Sequence, residues 1–454
     1  MMLSVKKNYL VLILFVAAPL LSVSQKTKSQ SKASVTALQR PLNLSDEQLL
    51  ELVQKQTFRY FWDFAHPVSG LARERSNTDF GYGNETTTTG GTGFGIMSVI
   101  VAAERKWITR DTAARFLLKM VNFLVSKPTS YHGAYSHWLD GETGKTIPFG
   151  RRDDGGDLVE TSYLFQGLLC ARQYFKNDNP VENELRAKIG WLWNDLEFNW
   201  YTRDGQEVLY WHWSPNNGWA MNFPVRGFNE CLIMYILAAS SEKYGIDAAV
   251  YHNGWAQSNF FKNGKKFYDI ELPLGFDYGG PLFFSHYSFL GLNPKGLTDR
   301  YADYWKQNVN HTLINYTHCV KNPNGFKGYG ENCWGLTASD TYNGYDAHSP
   351  TNDHGTITPT AALSAFPYTP ELSMKALKHF YYDLGDKIWG EYGFTDAFNE
   401  SQNWYSKNYL AIDQGPIIVM IENYRSGLLW NLFMSVPEVK SGLKKLGFES
   451  ENLK

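Results

Sequence analysis

The feature that most restricts this chain is an alternation between two kinds of helical segment, repeated six times along its 454 residues. One kind is amphipathic and charged and covers residues 45–65, 109–126, 180–198, 247–262, 298–319 and 371–385. Glu47, Glu51, Lys55 and Arg59 in the first, and Glu182, Glu184, Arg186 and Lys188 in the third, mark a face that stays wet. The other kind covers 92–105, 158–175, 226–243, 281–291, 358–366 and 416–432. These segments are poor in charge and rich in Gly, Ala, Leu, Ile and Phe, as in Gly93-Phe94-Gly95-Ile96-Met97. A helix that is apolar around most of its circumference has to be covered on both sides.

The connectors alternate too. Links from the buried kind to the wet kind are short, such as Lys106–Thr109 and Lys176–Asn179. Links from wet to buried are long: 66–91, 127–157, 199–225, 263–280, 320–357 and 386–415. Six helical hairpins closed into a ring satisfy this pattern without the capping repeats that an open solenoid needs. The expectation is an all-α fold, an (α/α)6 toroid, with its cleft at the N-terminal ends of the inner helices. Loops of such length in a compact fold usually carry function.

Their composition says which kind. The chain is 16% aromatic, with 15 Trp and 28 Tyr. The long connectors hold Tyr131, His132, Tyr135, His137 and Trp138, then Trp200, Trp211, Trp213 and Trp219, then Trp334, Tyr342 and Tyr345, then Trp389, Trp404 and Tyr405. A flat ring covers the apolar face of a pyranose while its polar edge reaches hydroxyls. Trp138, Trp211, Trp213, Trp219, Trp334, Trp404 and Tyr405 are therefore candidate sugar platforms, with Tyr163 and Arg152 beside the acids described next. A net charge of −2 gives no reason to expect a nucleic-acid partner. No Cys/His spacing resembles a zinc site, and neither metal nor other cofactor is expected. Cys170 and Cys231 fall in apolar helical runs and read as buried thiols. Cys319 and Cys333 flank a Gly/Asn-rich loop, where an oxidising compartment would permit a pair but does not require one.

The N-terminus reads as an export signal over residues 1–24. Lys6 and Lys7 precede a short apolar run, Leu10–Leu21, and Ser22-Val23-Ser24 offers small residues for cleavage. Residues 25–43 are polar and read as a flexible leader. A single catalytic domain is then expected over 44–454, periplasmic or secreted, with no membrane contact after cleavage and acting as a monomer.

Glycosidic hydrolysis needs two acidic groups across the bond, one to protonate the leaving oxygen and one to activate water or attack. Three buried-type segments begin with acids. Asp157 and Glu160 lie three apart in Asp153-Asp154-Gly155-Gly156-Asp157-Leu158-Val159-Glu160, which also fits an ordinary capping box, with Arg151 and Arg152 just upstream. Glu230 falls in the first turn of an apolar helix beside Phe228 and Cys231; burial among such neighbours raises a carboxyl pKa, as a general acid requires. Asp413 precedes Pro416, which suits a first helical position, so Asp413 reads as lying just ahead of the helix. Glu422, further along the same segment, reads as structural.

At these residues the chain resembles the glycoamylase-like enzymes, and more closely the bacterial β-1,2-glucanases of glycoside hydrolase family 144. The matching stretches are Asp157-Leu-Val-Glu160-Thr-Ser, Phe228-Asn-Glu230, and Ile412-Asp-Gln-Gly-Pro416 running into Met420-Ile-Glu-Asn-Tyr424-Arg425. The likeness spans about Leu44 to Gly447. It implies an inverting mechanism without metal and places acidic roles on Asp157, Glu160, Glu230 and Asp413. Glu230 would be the general acid, Asp157 or Asp413 the base, and Glu160 a sugar-binding group. The substrate implied is β-1,2-glucan, cut internally or from a chain end with release of sophorose. An exo-acting glucosidase of the glucoamylase type, acting on α-glucans, shares the expected fold and is one alternative; a non-catalytic glycan-binding protein is another. A lyase acting on acidic polysaccharide would need a more basic cleft than Arg151 and Arg152 supply.

Overall fold

The computed structural model describes residues 40–76 and 85–453. The expected signal segment, and all of the leader but its last four residues, lie outside them. The helices are α1 Asp46–Trp62, α2 Thr89–Glu104, α3 Arg110–Ser126, α4 Leu158–Tyr174, α5 Pro180–Asp195, α6 Leu232–Ser240, α7 Tyr304–Lys321, α8 Pro359–Leu363, α9 Pro370–Lys378, α10 Gly385–Ile388, α11 Ala411–Arg425, α12 Leu428–Met434 and α13 Pro437–Lys445. Around the inner ring α2 packs on α4, α4 on α6, and α11 on both α2 and α8. Between α6 and α8 the ring is completed by two 3-10 turns, Leu282–Ser285 and Ser288–Leu290, the second in contact with both α6 and α11. The outer layer starts with α1, α3 and α5, which lean on α2, α4 and α11. The fold is an α/α toroid.

The difference between the layers is visible in burial. Every residue from Thr89 to Ala103 of α2 and from Leu158 to Ala171 of α4 is buried. In α3 the buried positions are Ala113, Ala114, Leu117, Met120, Val121, Phe123 and Leu124, a single stripe. Close packing of α2 on α4 depends on glycine: a Cβ on Gly93 would lie 2.1 Å from the Tyr163 carbonyl oxygen, and one on Gly167 2.2 Å from that of Gly93. Helix α11 joins two apolar cores, sending Ile418, Val419 and Met420 into the larger and Ile417 and Ile421 into the smaller.

Four expected segments differ. Helix α6 starts at Leu232, six residues later than its hydrophobic run, because Gly227 takes φ +83° and the backbone through Glu230 forms turns. The run 247–262 holds one π-helical stretch, Val250–Trp255, and then enters a hairpin of Lys262–Phe267 with Ile270–Leu274. The run 281–291 makes only the 3-10 turns. Helix α11 starts five residues before Pro416, directly after an extended segment in which Ser76 N–H donates to Tyr409 O (3.0 Å) and Ala411 N–H to Glu74 O (3.0 Å). Asp413 is thus inside the first turn, not ahead of it.

The long connectors fold into small antiparallel pairs. Asp157 pairs with His212, Gly156 with Trp213, and a hairpin joins Ala338–Thr341 to Gly344–Ala347. All four cysteines are buried free thiols, including Cys319 and Cys333. No helix of the described residues is long and apolar enough to cross a membrane.

Candidate active site

Helix N-termini expose N–H groups that need partners. Outer helices α1, α3, α5 and α7 find them locally, in the side chains of Ser45, Thr109, Asn179 and Asp303. Inner helices α2, α6, α8 and α11 have no such cap. Helix α2 is served by its ring neighbour: Gly90 N–H donates to Glu160 Oε2 of α4 at 2.8 Å. Gly90 has to lack a side chain, since a Cβ would lie 2.5 Å from that oxygen. The positive ends of the inner helices therefore face the acids.

Asp157 is fully buried and its oxygens are occupied. It accepts from Glu160 N–H (2.9 Å) as the cap of α4, from His137 Nδ1 (3.0 Å) and from Trp211 Nε1 (3.0 Å). Burial works against a charged His137, but Glu160 and Asp157 outweigh it and raise that imidazole to about 9. Burial pushes Glu160 up to about 7, with His137 opposing and Asp157 assisting.

Glu230 sits in the turn ahead of α6. Its carbonyl accepts from Ser288 Oγ (2.5 Å) and Tyr163 OH (3.4 Å), which fixes the backbone. Its carboxyl Oε2 is sealed from solvent and has no hydrogen-bond partner. Burial raises the group to about 7, against the opposing pull of its own backbone N–H and the Cys231 thiol. Asp413 is buried too, with no amide, hydroxyl or cationic donor on either oxygen, and burial raises it to about 7. Its neighbour within hydrogen-bonding reach is a second carboxyl, Asp396. Two facing carboxylates can bond only through a shared proton. Asp396 is the member held protonated: burial and the charges of Asp413 and Asp340 raise it well above the carboxylate range. Asp396 is itself held by Asp340 N–H (2.7 Å), and Asp340 by Arg75 (3.0 Å) and Asn408 (2.6 Å).

One phenol is common to these groups. Tyr287 is buried and lies within electrostatic reach of Asp413, Glu160 and Glu230. Tyr345, on the 338–347 hairpin, lies within electrostatic reach of Asp413, Asp396, Glu74 and Asp340 while half its surface stays open.

The aromatic expectations divide. Trp211 holds Asp157 and lies against Phe223 (centroids 5.5 Å apart), which is 52% exposed. Trp138 is buried beside Phe149, which stacks on His137 at 4.0 Å. Tyr163 lies under Glu230. Trp213 and Trp219 pack with Trp200, His132 and Tyr210 as partly buried loop filling. Trp404 and Tyr405 are partly buried in a short strand, where Lys387 donates to Tyr405 OH (2.7 Å). Arg152 is exposed, with one long contact to Ala220 O (3.5 Å), and makes no ion pair with the acids among the described residues. Trp334 is a correction: it has no exposed surface and belongs to the smaller core, edge-on to Tyr316. An indole in a Gly-rich loop looks like a platform until the loop folds back over it.

Sequence reasoning did not find Asp340, Asp396, Arg75 or Tyr287. None begins an apolar helix, so none carried the signal that marked the other acids. His137, Asp153 and Asp157 offer ligand atoms within 4.8 Å of one another. Asp157 already accepts from three donors there, His137 among them.

An α/α toroid that gathers buried, unsatisfied carboxyls at the uncapped ends of its inner helices, beside exposed aromatic rings, has the build of a glycoside hydrolase. The Glycoamylase family model matches residues 222–437. The chain is 57% identical to the endo-β-1,2-glucanase of Chitinophaga pinensis, solved with sophorotriose and glucose; the match covers 90% of this chain and all of that one, with a TM-score of 0.88. It is 46% identical over 440 residues to the exo-β-1,2-glucooligosaccharide sophorohydrolase of Parabacteroides distasonis, covering 92% of this chain and 60% of that relative's length. The endo-β-1,2-glucanase of Talaromyces funiculosus, 11% identical, shares the fold with a TM-score of 0.60. The chain belongs to the glycoamylase-like β-1,2-glucanases, glycoside hydrolase family 144.

Proposed function

We propose that the protein hydrolyses β-1,2-glucan with inversion, using Glu230 as general acid and Asp413 as base. The observation that carries this reading is a pair of carboxyls, Glu230 and Asp413, with sealed and unpartnered oxygens, both within electrostatic reach of Tyr287. A carboxyl raised toward 7 keeps its proton near neutrality and can deliver it to a glycosidic oxygen. Asp413 is assigned the base role because the proton of Asp396 opposes the rise that burial imposes on it, and no other donor occupies its oxygens. Asp157 is unsuited to that role, because its lone pairs are engaged by Glu160 N–H, His137 and Trp211. It orients the wall, and Glu160 offers its remaining oxygen to sugar.

Internal cleavage is favoured, since a relative matched over its entire length is an endo-glucanase. The substrate is a neutral saccharide, which suits a site whose basic groups Arg75 and His137 are paired with Asp340 and Asp157. Export to the periplasm or beyond follows from the residue 1–24 pattern, and the protein acts as a monomer. The test is product analysis on linear β-1,2-glucan, with starch as control. The expected outcome is a ladder of oligosaccharides whose new reducing ends first appear as the α-anomer by NMR. Retained β-anomers would end the inverting assignment, and starch cleavage without β-1,2-glucan cleavage would end the substrate assignment.

A further inference from the structure

Between the Glu230 side of the site and the surface runs a continuous series of aromatic rings. Phe260 stacks on Phe276 (centroids 5.0 Å, planes 27° apart), Phe276 reaches Phe284 (6.1 Å), Phe284 meets Phe283 edge-on (4.8 Å), and Phe283 stacks on Tyr287 (5.0 Å). Exposure is lower at the inner end: 55% at Phe260, 38% at Phe276, partial at Phe284 and Phe283, and 7% at Tyr287. The outer end is tied to the turn that carries the acid, since Gly227 N–H, three residues before Glu230, donates to Trp255 O (2.9 Å) at the start of the segment that leads to Phe260.

Exposed phenylalanines in a stacked pair are costly to leave in water, and a contiguous apolar surface of this kind marks a contact site. A polar fringe runs beside it: Asn263 donates to Gly275 O (3.0 Å) and to Asp277 (3.1 Å), and Lys265 pairs with Asp277 at 2.9 Å. Flat apolar faces edged by fixed polar groups match the two-sided character of a pyranose.

Resting on the functional reading above, we infer that Phe260 and Phe276 form a distal binding platform for the glucan chain, several sugar units from the reacting bond on the Glu230 side. Continuity with Tyr287 selects this occupant over another protein: the track ends among the acids, where a second protein surface would have nothing to contact. Phe260 and Phe276 set chain-length preference and touch no reacting atom.

The experiment compares Phe260→Ala and the Phe260→Ala/Phe276→Ala pair with the parent on β-1,2-linked oligosaccharides of increasing length. The ratio of kcat/KM for long over short chains should fall about tenfold in the double variant, the scale of one or two lost ring contacts. Phe260→Trp should keep the ratio. A ratio unchanged by either alanine variant overturns the proposal. So does a change in sedimentation behaviour with kinetics intact, which would mark the patch as a dimer contact. Titration calorimetry of long glucan on each variant in a Glu230→Gln background reads the same contact without turnover. A parent protein that cleaves no β-1,2-glucan defeats the functional reading, and a parent that cleaves it with no length-dependent loss in the variants defeats this inference alone.

Discussion

Helix α11 carries two buried acids at opposite ends, and they live in different chemistry. Glu422, near the C-terminal end, accepts from Arg105 Nε (2.5 Å), Gln54 Nε2 (3.2 Å) and Ser426 Oγ (2.6 Å). Asp413, in the first turn, has no donor apart from the proton it shares with Asp396. Both are about equally hidden from water, 1% and 3% exposed. A hollow of ≈ 510 Å³ opens at the Glu422 end, but Arg105, Glu104, Ser426 and Leu432 line it and no aromatic ring does. Burial alone therefore does not mark a reactive acid. What marks it is burial without satisfaction, which shifts the protonation equilibrium to where chemistry can use it.

Neutralising each acid in turn puts the most strain on this contrast. Glu230→Gln and Asp413→Asn should each lower turnover of β-1,2-glucan by at least about two orders of magnitude, the usual scale for acid–base groups, with circular dichroism unchanged. Glu422→Gln should leave turnover per folded molecule intact but cost about 1–3 kcal/mol in denaturant unfolding, because Arg105 loses a buried acceptor. Equal turnover losses at both ends of α11 would erase the distinction.

A smaller effect tests the shared proton. Asp396→Ala removes the donor that opposes the burial-driven rise of Asp413, so the acidic limb of kcat/KM against pH should move to higher pH by about one unit, equivalent to roughly tenfold in rate on that limb. Asp396→Asn keeps a donor and should return the limb toward its original place. A merely structural Asp396 would lower activity at every pH without moving the limb.

The smallest expected change is in stability. A carboxyl whose folded pKa is raised, as Glu230's is from 4.5 to about 7, favours the folded state fully below pH 4.5 and loses that contribution as pH rises through 7. Thermal stability should therefore decline from pH 5 to pH 8, and Glu230→Gln should make that decline shallower by about 2 °C. A steeper decline in the variant would mean that Glu230 is stabilised as the anion.

Much of the site was legible because its acids begin apolar helices. Glu230 and Asp413 announced themselves as charges at the start of runs with no other reason to hold one, and Asp157 with Glu160 by their spacing. Their individual duties were not legible: an Asp-x-x-Glu at a helix start is a cap in either case, and only the three donors gathered on Asp157 show it to be fully engaged. Trp334 failed for the opposite reason, because composition reports that a ring is present but not which way its loop folds.

The toroid was already written in residue order, since helices apolar on all sides can be covered only by a second layer, and the alternation of connector lengths then puts every long loop at one end. Which acids would be left without donors was settled by folding alone. That outcome depends on side chains from Arg75, Asp340, Asp396 and Tyr287, which lie far apart in the chain and meet through ring closure, and pairwise satisfaction between such distant groups leaves no local trace along the chain.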